Sequence, residues 1–282
     1  MKVLLTGHRG RLGPSVAQRL AADGHAVQGF DLLDGDDVMD AAAVARAARR
    51  CDVIVHVAGL AGDRKAASAD VMAVNLIGTA NVLFAAEAQG VRRVIYVSSG
   101  RALGLLERDP DYLPLDDDHR GLPSQPYALA KWLAEEMCAA FTHRTGIETI
   151  CLRPVAVFSD DDYARALLHG DQAPGQFWAL GVHLDVRDLA DAVAAAVRCP
   201  KIGHTRILLC AADIADRRLT LDLVAAYVPQ VPWRGGSEYA RDPYRSLVDI
   251  TRARTILGWQ PRRTWPGRSA APGLTAAGGS RA

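Results

Sequence analysis

Three regularly spaced glycines constrain this chain more than any other feature of its sequence. Gly7, Gly10 and Gly13 follow an apolar run at residues 3–6 and precede a helical pattern at residues 14–22. Glycine lets the backbone turn tightly and approach a ligand closely, and the amide groups that open the next helix attract anions. In a strand–turn–helix setting this G-x-x-G-x-x-G pattern is typical of a loop that binds the pyrophosphate of a dinucleotide.

An acidic residue closes the second predicted strand. A carboxylate at Asp31 can accept hydrogen bonds from both hydroxyls of the adenosine ribose and repels a 2′-phosphate, which favours NAD over NADP. The basic residues of the glycine turn, His8, Arg9 and Arg11, act in the other direction because they could help to bind a 2′-phosphate. We predict NAD as the cofactor, with NADP as the less favoured alternative.

Short β-branched runs alternate with longer helical patterns over the first half of the chain. The predicted strands and helices are residues 3–6, 14–22, 26–31, 41–50, 53–58, 69–89, 94–98, 124–143 and 147–152. This alternation predicts an α/β fold, a Rossmann-type doubly wound parallel sheet with helices on both faces. Ser124 is the expected cap of the second long helix, and residues 36–40 leave room for a strand stub only.

The composition excludes several classes of protein. Lys and Arg total 33 against 32 Asp and Glu, so no positive excess attracts nucleic acid or an anionic membrane. No apolar run reaches the roughly 18–20 residues of a membrane span, and the N-terminus turns polar too early for a signal peptide. Five Cys without a C-x-x-C pair argue against a disulfide framework or a metal site and for a reducing, cytoplasmic setting.

Tyr127 and Lys131 lie four residues apart in a predicted helix, so their side chains share one face. The usual pKa of a phenol, about 10, is too high for a base at neutral pH. A neighbouring ammonium group, together with a positive nicotinamide ring, favours the phenolate and lowers that pKa. The spacing alone is equally typical of a Tyr and a Lys on a helix surface, so its meaning depends on the other motifs.

Ser98 and Ser99 stand at the end of a predicted strand. Ligands of parallel α/β sheets bind at the carboxyl ends of the strands, where a serine hydroxyl can donate to a substrate oxygen. The alternative for this pair is a turn or a helix cap.

Taken together, these motifs resemble the extended short-chain dehydrogenase/reductase superfamily, and within it the NAD-dependent epimerase/dehydratase family. Further matches lie at residues 56–59, 75–79, 152–154 and 257–261. The resemblance implies that Tyr127 is the catalytic acid or base and that Lys131 binds the nicotinamide ribose and tunes Tyr127. It also implies that Ser99, rather than Ser98, polarises the substrate.

The same resemblance assigns binding residues. Those implied for the cofactor are Gly7, Arg9, Gly10, Arg11, Leu12, Gly13, Asp31, Asp37, Val38, Val57, Ala58, Gly59, Asn75, Val97, Ser98, Tyr127, Lys131, Pro154 and Val155. Those implied for the substrate are Ser99, Gly100, Arg101 and Arg165.

Several departures from the family pattern bear on the substrate. Gly100-Arg101 stands where dehydratases carry Asp-Glu, which argues against 4,6-dehydration. Residues 155–158 lack the Asn of sugar-nucleotide epimerases, and Gly181 stands where those enzymes place an Arg against the diphosphate. Residues 160–165 are instead similar to uronate dehydrogenases, which bind a carboxylate through an Arg of this region. Arg165 is the candidate for that role, although a surface charge is the alternative.

The pattern loosens after residue 155. We expect residues 1–155 to form the NAD-binding Rossmann domain with the catalytic residues, and residues 156–265 a small mixed α/β substrate lobe whose elements can return to that domain. Residues 266–282 are low in complexity and predict a disordered tail. The helices predicted at residues 69–89 and 124–143 resemble the dimer-forming pair of the family, which implies a homodimer.

The resemblance therefore implies an NAD-dependent oxidoreductase or epimerase acting on a sugar or sugar derivative, by hydride transfer with tyrosine acid/base catalysis. Its partner is a small sugar-type molecule, and no metal, nucleic acid or membrane is expected. Two alternatives stay open at this point: a sugar-nucleotide 4-epimerase proper, and a non-catalytic NAD(P)-responsive binding protein on the same fold.

Overall fold

The computed structural model of the protein describes residues 1–61, 66–105, 108–169 and 180–266. The strands are β1 (Lys2–Thr6), β2 (Ala26–Phe30), β3 (Val53–His56), β4 (Arg93–Val97), β5 (Glu148–Pro154), β6 (Val157–Phe158), β7 (Leu184–Asp185) and β8 (His204–Leu209). The helices are α1 (Gly13–Ala22), α2 (Ala41–Ala47), α3 (Ser68–Gln89), α4 (Pro126–Thr145), α5 (Asp160–His169), α6 (Val186–Arg198), α7 (Thr220–Tyr227), α8 (Glu238–Arg241) and α9 (Thr251–Leu257).

Six strands form one parallel sheet in the order β2-β1-β3-β4-β5-β8, with helices on both faces. Alternate side chains of each strand enter two separate cores. Leu4 and Ile54 pack on the side of α2, α3 and α4, whereas Val3 and Val53 pack on the side of α1 and α6. The inner strands are continuous apolar runs because both of their faces are covered. The predicted doubly wound parallel fold is confirmed.

Some local expectations differ from the structure for identifiable reasons. The predicted cap at Ser124 is wrong, because α4 begins at Pro126 behind Gln125 and has no side-chain cap bond. Proline presets the backbone angle of a first helical turn, so the helix starts there without such a cap. Residues 36–40 form no strand. They follow a 3-10 turn at Leu32–Asp34, which is capped by the carboxylate of Asp31.

The part of the chain after residue 155 contributes to the main sheet. β8 pairs with β5, and α6 packs against α1. β6 and β7 form a separate two-stranded parallel sheet, and α5 lies in the region where the sequence pattern loosens. Residues 170–179 and the predicted tail from residue 267 lie outside the described residues.

By length and composition alone, α3 is apolar enough to cross a membrane, with a mean hydropathy of 1.5. Within this fold 44% of the apolar 18-residue stretch of α3 is buried, and Val82 and Ala86 belong to the core beside the sheet. In this architecture the inner face of α3 therefore packs in the core beside the sheet.

Candidate active site

The glycine turn brings the end of β1 close to the chain that follows β3. Gly7 has a positive φ of 72°, and a Cβ atom there would lie 2.6 Å from the backbone nitrogen of Ala58. A Cβ atom on Gly13 would lie 2.2 Å from the carbonyl oxygen of Gly7. Both positions therefore need glycine for the turn to close. α1 starts at Gly13 with Pro14 in its first turn, so its amide groups face the turn as an anion-binding end.

Asp31 lies directly after β2, on the side of the molecule where the glycine turn lies. Its carboxylate accepts hydrogen bonds from the backbone N–H groups of Arg9 at 2.9 Å and Leu33 at 3.0 Å. Burial raises the pKa of Asp31, but these two hydrogen bonds, together with the charges of His8 and Arg9, outweigh it, and the pKa lies below its ordinary value. The carboxylate is therefore ionised at neutral pH and held in place before any ligand arrives.

The arginines of the glycine turn already have acidic partners. Arg9 Nη1 lies 2.5 Å from Asp34, and Arg11 Nη2 lies 2.5 Å from Asp162 on α5. Arg11 also donates to the carbonyl oxygen of Val157 at 2.6 Å. The positive charges that could attract a 2′-phosphate are thus paired with carboxylates of the protein.

One cavity of about 810 Å³ extends from Asp31 past the glycine turn to α4. Of the residues implied for the cofactor, those that line it are Gly7, Gly10, Arg11, Leu12, Asp31, Asp37, Val38, Val57, Ala58, Gly59, Val97, Ser98, Tyr127, Lys131, Pro154 and Val155. Arg9, Gly13 and Asn75 do not line it. Asn75 instead exchanges hydrogen bonds with the backbone of Leu60 at 2.8 and 3.0 Å, so it shapes the loop after β3.

Tyr127 and Lys131 lie one helical turn apart on α4, and both line this cavity. Lys131 Nζ donates to the carbonyl oxygen of Val97 at 2.9 Å and lies 5.8 Å from the centre of the Tyr127 ring. Burial lowers the pKa of Lys131 to about 8, while the charge of Glu135 acts in the opposite direction. The hydrogen bond to Val97 therefore fixes the ammonium group at the end of β4. With a pKa of about 8, this group loses its proton under mildly basic conditions.

The Tyr127 hydroxyl is hydrogen-bonded to Ser99. Burial raises the pKa of Tyr127, whereas the Ser99 hydrogen bond and the charge of Arg101 lower it, and the pKa stays above its ordinary value. The sequence motif pointed to Lys131 as the charge that lowers this pKa. In the structure that charge is Arg101, whose guanidinium carbon lies 5.1 Å from the Tyr127 ring centre.

The two serines at the end of β4 face different partners. Ser98 is buried and donates to Glu135 Oε1 at 2.6 Å, whereas Ser99 is half-buried and contacts Tyr127. The hydroxyl next to the phenol is therefore that of Ser99. Sequence reasoning missed Glu135, although an acid four residues after Lys131 on the same helix face was a readable signal.

The residues implied for the substrate divide into two groups. Ser99 and Arg101 line the cavity beside Tyr127. Gly100, at the start of the 3-10 turn Gly100–Leu103, does not line it. Arg165 is 68% exposed on α5, where it pairs with Asp162. Arg165 does not line this cavity, and the acid that it contacts is the partner of Arg11.

The residues present fit a dinucleotide cofactor. The turn has no side chain at its glycines, the carboxylate of Asp31 is ionised, and the cavity volume lies within the range of cofactor pockets. No group of three or more His, Cys, Asp or Glu residues in the described ranges is arranged to hold a metal ion.

Known proteins match the chain over most of its length. The model of the NAD dependent epimerase/dehydratase family matches residues 3–210. The UDP-glucose 4-epimerase of Mycolicibacterium smegmatis is 28% identical over 93% of this chain and 94% of that protein. The uronate dehydrogenase of Pseudomonas syringae pv. tomato is 27% identical over 72% of each chain.

A solved structure gives the same architecture. A short-chain dehydrogenase/reductase superfamily protein from Agrobacterium tumefaciens, determined with bound NAD, superposes with a TM-score of 0.71 over 94% of both chains. The two sequences are 24% identical, so this likeness supports the fold.

Proposed function

The chain belongs to the NAD-dependent epimerase/dehydratase family, and we propose that it is an NAD-dependent oxidoreductase or epimerase acting on a sugar or sugar derivative. One observation supports this most strongly: Ser99, Tyr127 and Lys131 meet at one end of the cavity whose other end holds Asp31. A hydroxyl donor, a phenol and an ammonium group are the parts that proton transfer beside a nicotinamide requires.

NAD is the cofactor that these residues fit. Asp31 would hold the adenosine ribose, and the amide groups at the glycine turn and the start of α1 would hold the diphosphate. The pairing of Arg9 and Arg11 with acids of the protein leaves the preference for NAD over NADP to Asp31. When bound, NAD supplies the chemistry of hydride acceptance and return.

The protein side chains orient the substrate and move the proton. Ser99 donates to the oxygen at the reacting carbon, and Tyr127 takes the proton from that oxygen or returns it. Arg101 favours the phenolate by its charge, and Lys131, fixed by Val97, is placed to bind the nicotinamide ribose. Arg101 is also the cation best placed to contact an acidic substrate, since Arg165 lies elsewhere.

A second candidate is a sugar-nucleotide 4-epimerase proper. The similarity to the M. smegmatis UDP-glucose 4-epimerase, which spans 94% of that protein, favours it. The missing Asn in residues 155–158 and Gly181 in place of an Arg argue against it. The uronate dehydrogenase of P. syringae is nearly as similar, and it supports a free sugar acid as the other substrate class.

Turnover assays test the proposal. The purified protein is incubated with NAD or NADH and with free sugars, sugar acids and nucleotide sugars, and both the absorbance of reduced nicotinamide and the products are followed. Net NADH formation on a sugar acid supports a dehydrogenase, and isomerised nucleotide sugar without net NADH supports the 4-epimerase. Cofactor binding with neither product across the panel would favour the non-catalytic alternative.

We also propose a homodimer formed through α3 and α4. Ile77 and Phe84 lie two turns apart on α3 and are 48% and 60% exposed, an apolar surface that a partner helix would cover. Phe84→Glu should convert a dimer to a monomer in light scattering, and a wild-type monomer at micromolar concentration would contradict the proposal.

The five cysteines are all free and buried, in keeping with our expectation of a cytoplasmic protein.

A further inference from the structure

Glu135 is a fully buried carboxylate beneath the catalytic end of the cavity. Its oxygens accept hydrogen bonds from Ser98 Oγ at 2.6 Å, from Arg153 Nε at 2.9 Å and from Arg153 Nη2 at 2.6 Å. Ser98 lines the cavity at the end of β4, and Arg153 lies on β5 next to Pro154, another cavity residue. One carboxylate thus ties α4 to the ends of the two strands that form the catalytic wall.

Stability alone does not explain a charge at this position. A neutral pair of similar volume is often as stable as a buried ion pair, because both charges of the pair must be removed from water. Glu135 has two further partners among the described residues: Arg206, whose Nε lies 3.5 Å from Oε2, and Ser98, whose side chain belongs to the wall of the active site.

Lys131 lies one helical turn before Glu135, so the two side chains share a face of α4. The other titratable groups that surround its ammonium are His56 on β3, Tyr96 on β4, Cys151 on β5, and Tyr127 and Cys138 on α4.

Three of these neighbours are held neutral. Burial, with the charge of Lys131, lowers the pKa of His56 to about 3, and burial raises the pKa values of Tyr96 and Cys151 well above their ordinary range. Among the described groups around Lys131, Glu135 therefore supplies the negative charge, and it acts to raise the pKa of the ammonium against the effect of burial.

We propose that Glu135 is a positioning residue that anchors Ser98 at the cavity wall and holds the Lys131 ammonium in its charged form. It touches neither the cofactor cavity nor a reacting atom, and it acts through these two neighbours. The inference rests on the proposed function only where it gives Lys131 a part in catalysis. The contacts and the charge of Glu135 are independent of the substrate.

The fold supplies a matched control for a test. Arg93 and Glu148 form a second buried ion pair across β4 and β5, at the amino ends of the same strands, with Arg93 Nη2 2.8 Å from Glu148 Oε2. The other hydrogen bonds of Glu148 and Arg93 go to backbone groups, among them the N–H of Ile202 and the carbonyl oxygen of Ala196. Glu148→Gln removes a buried carboxylate from an arginine without touching Lys131.

Lys131 can be titrated directly, because the chain has four lysines, Lys2, Lys65, Lys131 and Lys201. Carbon-13 NMR of lysine-labelled protein gives each ammonium a titration curve, and Lys131→Met identifies the resonance. We expect Glu135→Gln to lower the pKa of Lys131 by about 1 unit or more. Glu148→Gln should leave it unchanged. An unchanged Lys131 in Glu135→Gln, or an equal shift in both variants, would overturn the proposal.

Should Glu135→Gln fail to fold, Glu135→Gln combined with Arg153→Gln removes both charges of the pair, and Arg206 keeps its ion pair with Glu136. The pKa of Lys131 should again fall below that of the wild type, and an unchanged value would overturn the proposal as before.

The pH dependence of kcat separates this inference from the proposed function. If charged Lys131 is needed for turnover, the high-pH decline of kcat should move toward neutrality in Glu135→Gln and stay in place in Glu148→Gln. A shifted Lys131 titration with an unmoved kcat profile would uphold the effect of Glu135 on Lys131 and remove Lys131 from the proposed mechanism. A preparation without any turnover still gives the NMR result.

Discussion

A buried Arg–Glu pair lies near each end of β4 and β5, and the two pairs have different surroundings. Arg93 of β4 meets Glu148 of β5 at the amino ends, and Arg153 of β5 meets Glu135 of α4 near the carboxyl ends. At the amino end, Arg93 and Glu148 direct their remaining hydrogen bonds to backbone groups that close the fold. At the carboxyl end, Glu135 also accepts a hydrogen bond from Ser98 in the cavity wall and lies 3.5 Å from Arg206 Nε. A buried ion pair is therefore not in itself a sign of function. The two ion pairs differ in whether they also bind a side chain of the candidate site: the Glu135 pair binds Ser98, whereas, within the described ranges, the Arg93–Glu148 pair binds only backbone groups besides.

The same contrast holds for the sheet as a whole. At its amino edge polar groups bond to one another, as Asp52 does with the backbone N–H of Lys2 at 2.7 Å. At its carboxyl edge Asp31, Ser99 and Tyr127 line an open cavity. Substitutions at the two edges should therefore separate loss of activity from loss of stability.

The largest effect is expected at the carboxyl edge, from removal of one hydroxyl. Tyr127→Phe should lower kcat by about 10²- to 10⁴-fold, because proton transfer by a positioned side chain contributes that much. The Kd for NAD should change little, since the ring stays in place. Steady-state kinetics and a cofactor titration measure both quantities, and full activity in the variant would exclude Tyr127 from the proposed role.

The matching change at the amino edge should affect stability instead. Glu148→Gln leaves Arg93 without its charged partner, and the free energy of unfolding should fall by about 3–5 kcal/mol. Urea unfolding measures this loss. In the folded variant kcat should equal that of the wild type, and a kcat loss well below the unfolding midpoint would contradict the division between the edges.

Asp117 extends the comparison, because it is a buried acid whose arginine neighbour does not offset the effect of burial. Arg252 Nε lies 3.8 Å away, and burial raises the pKa of Asp117 to about 7 against a hydrogen bond from the N–H of Leu208. In the unfolded chain the Asp117 carboxyl loses its proton near pH 4. Between about pH 4 and 7 the folded state therefore binds one proton more than the unfolded state. Stability should therefore fall as pH rises through that window, by up to about 4 kcal/mol.

Urea unfolding at several pH values checks this slope. Asp117→Asn should flatten the dependence and be the more stable protein above pH 7, whereas Asp118→Asn should keep it. Asp118 is the fitting control because it also pairs with Arg252 but is 79% exposed. An unchanged slope in Asp117→Asn would assign the pH dependence to another group.

The smallest effect is expected at the far end of the cavity. Asp31→Asn keeps an acceptor for the backbone but removes the charge, and a hydrogen bond to a charged group contributes about 1.5–3 kcal/mol. NAD affinity should fall about 10- to 100-fold, and the ratio of the affinities for NAD and NADP should become smaller. Calorimetric titration with both cofactors measures this. Asp34→Asn, which changes the neighbouring partner of Arg9, should leave NAD affinity within a few-fold.

The predictable part of this molecule is what local pattern determines. Apolar runs and helical periodicity located the parallel sheet, and the i, i+4 spacing put Tyr127 and Lys131 on one face of α4. Because the ends of parallel strands meet at one edge, Ser99 and Asp31 could be assigned to the same cavity. These inferences need no knowledge of how distant segments pack.

The remainder depends on contacts between distant segments. Arg11 meets Asp162, which lies 151 positions later, and Glu135 meets Arg153 on another element. Nothing local in the sequence marks such partners. The pairing of Arg165 with Asp162 is local, but the position of Arg165 outside the cavity depends on where α5 packs. The cap at Ser124 failed for a different reason, since the preset backbone of Pro126 determines where α4 starts.

The three glycines of the turn are not equivalent, and this bears on how such chains diverge. Added Cβ atoms would collide with backbone at Gly7 and Gly13, whereas at Gly10 the nearest atom is the Gly7 carbonyl oxygen at 3.3 Å. A descendant that had lost its nucleotide would still need the outer two glycines in order to fold. In such lineages Gly7 and Gly13 should be retained after Gly10 has been replaced. Gly10 together with Asp31 therefore indicates a nucleotide-binding pocket better than the outer glycines do.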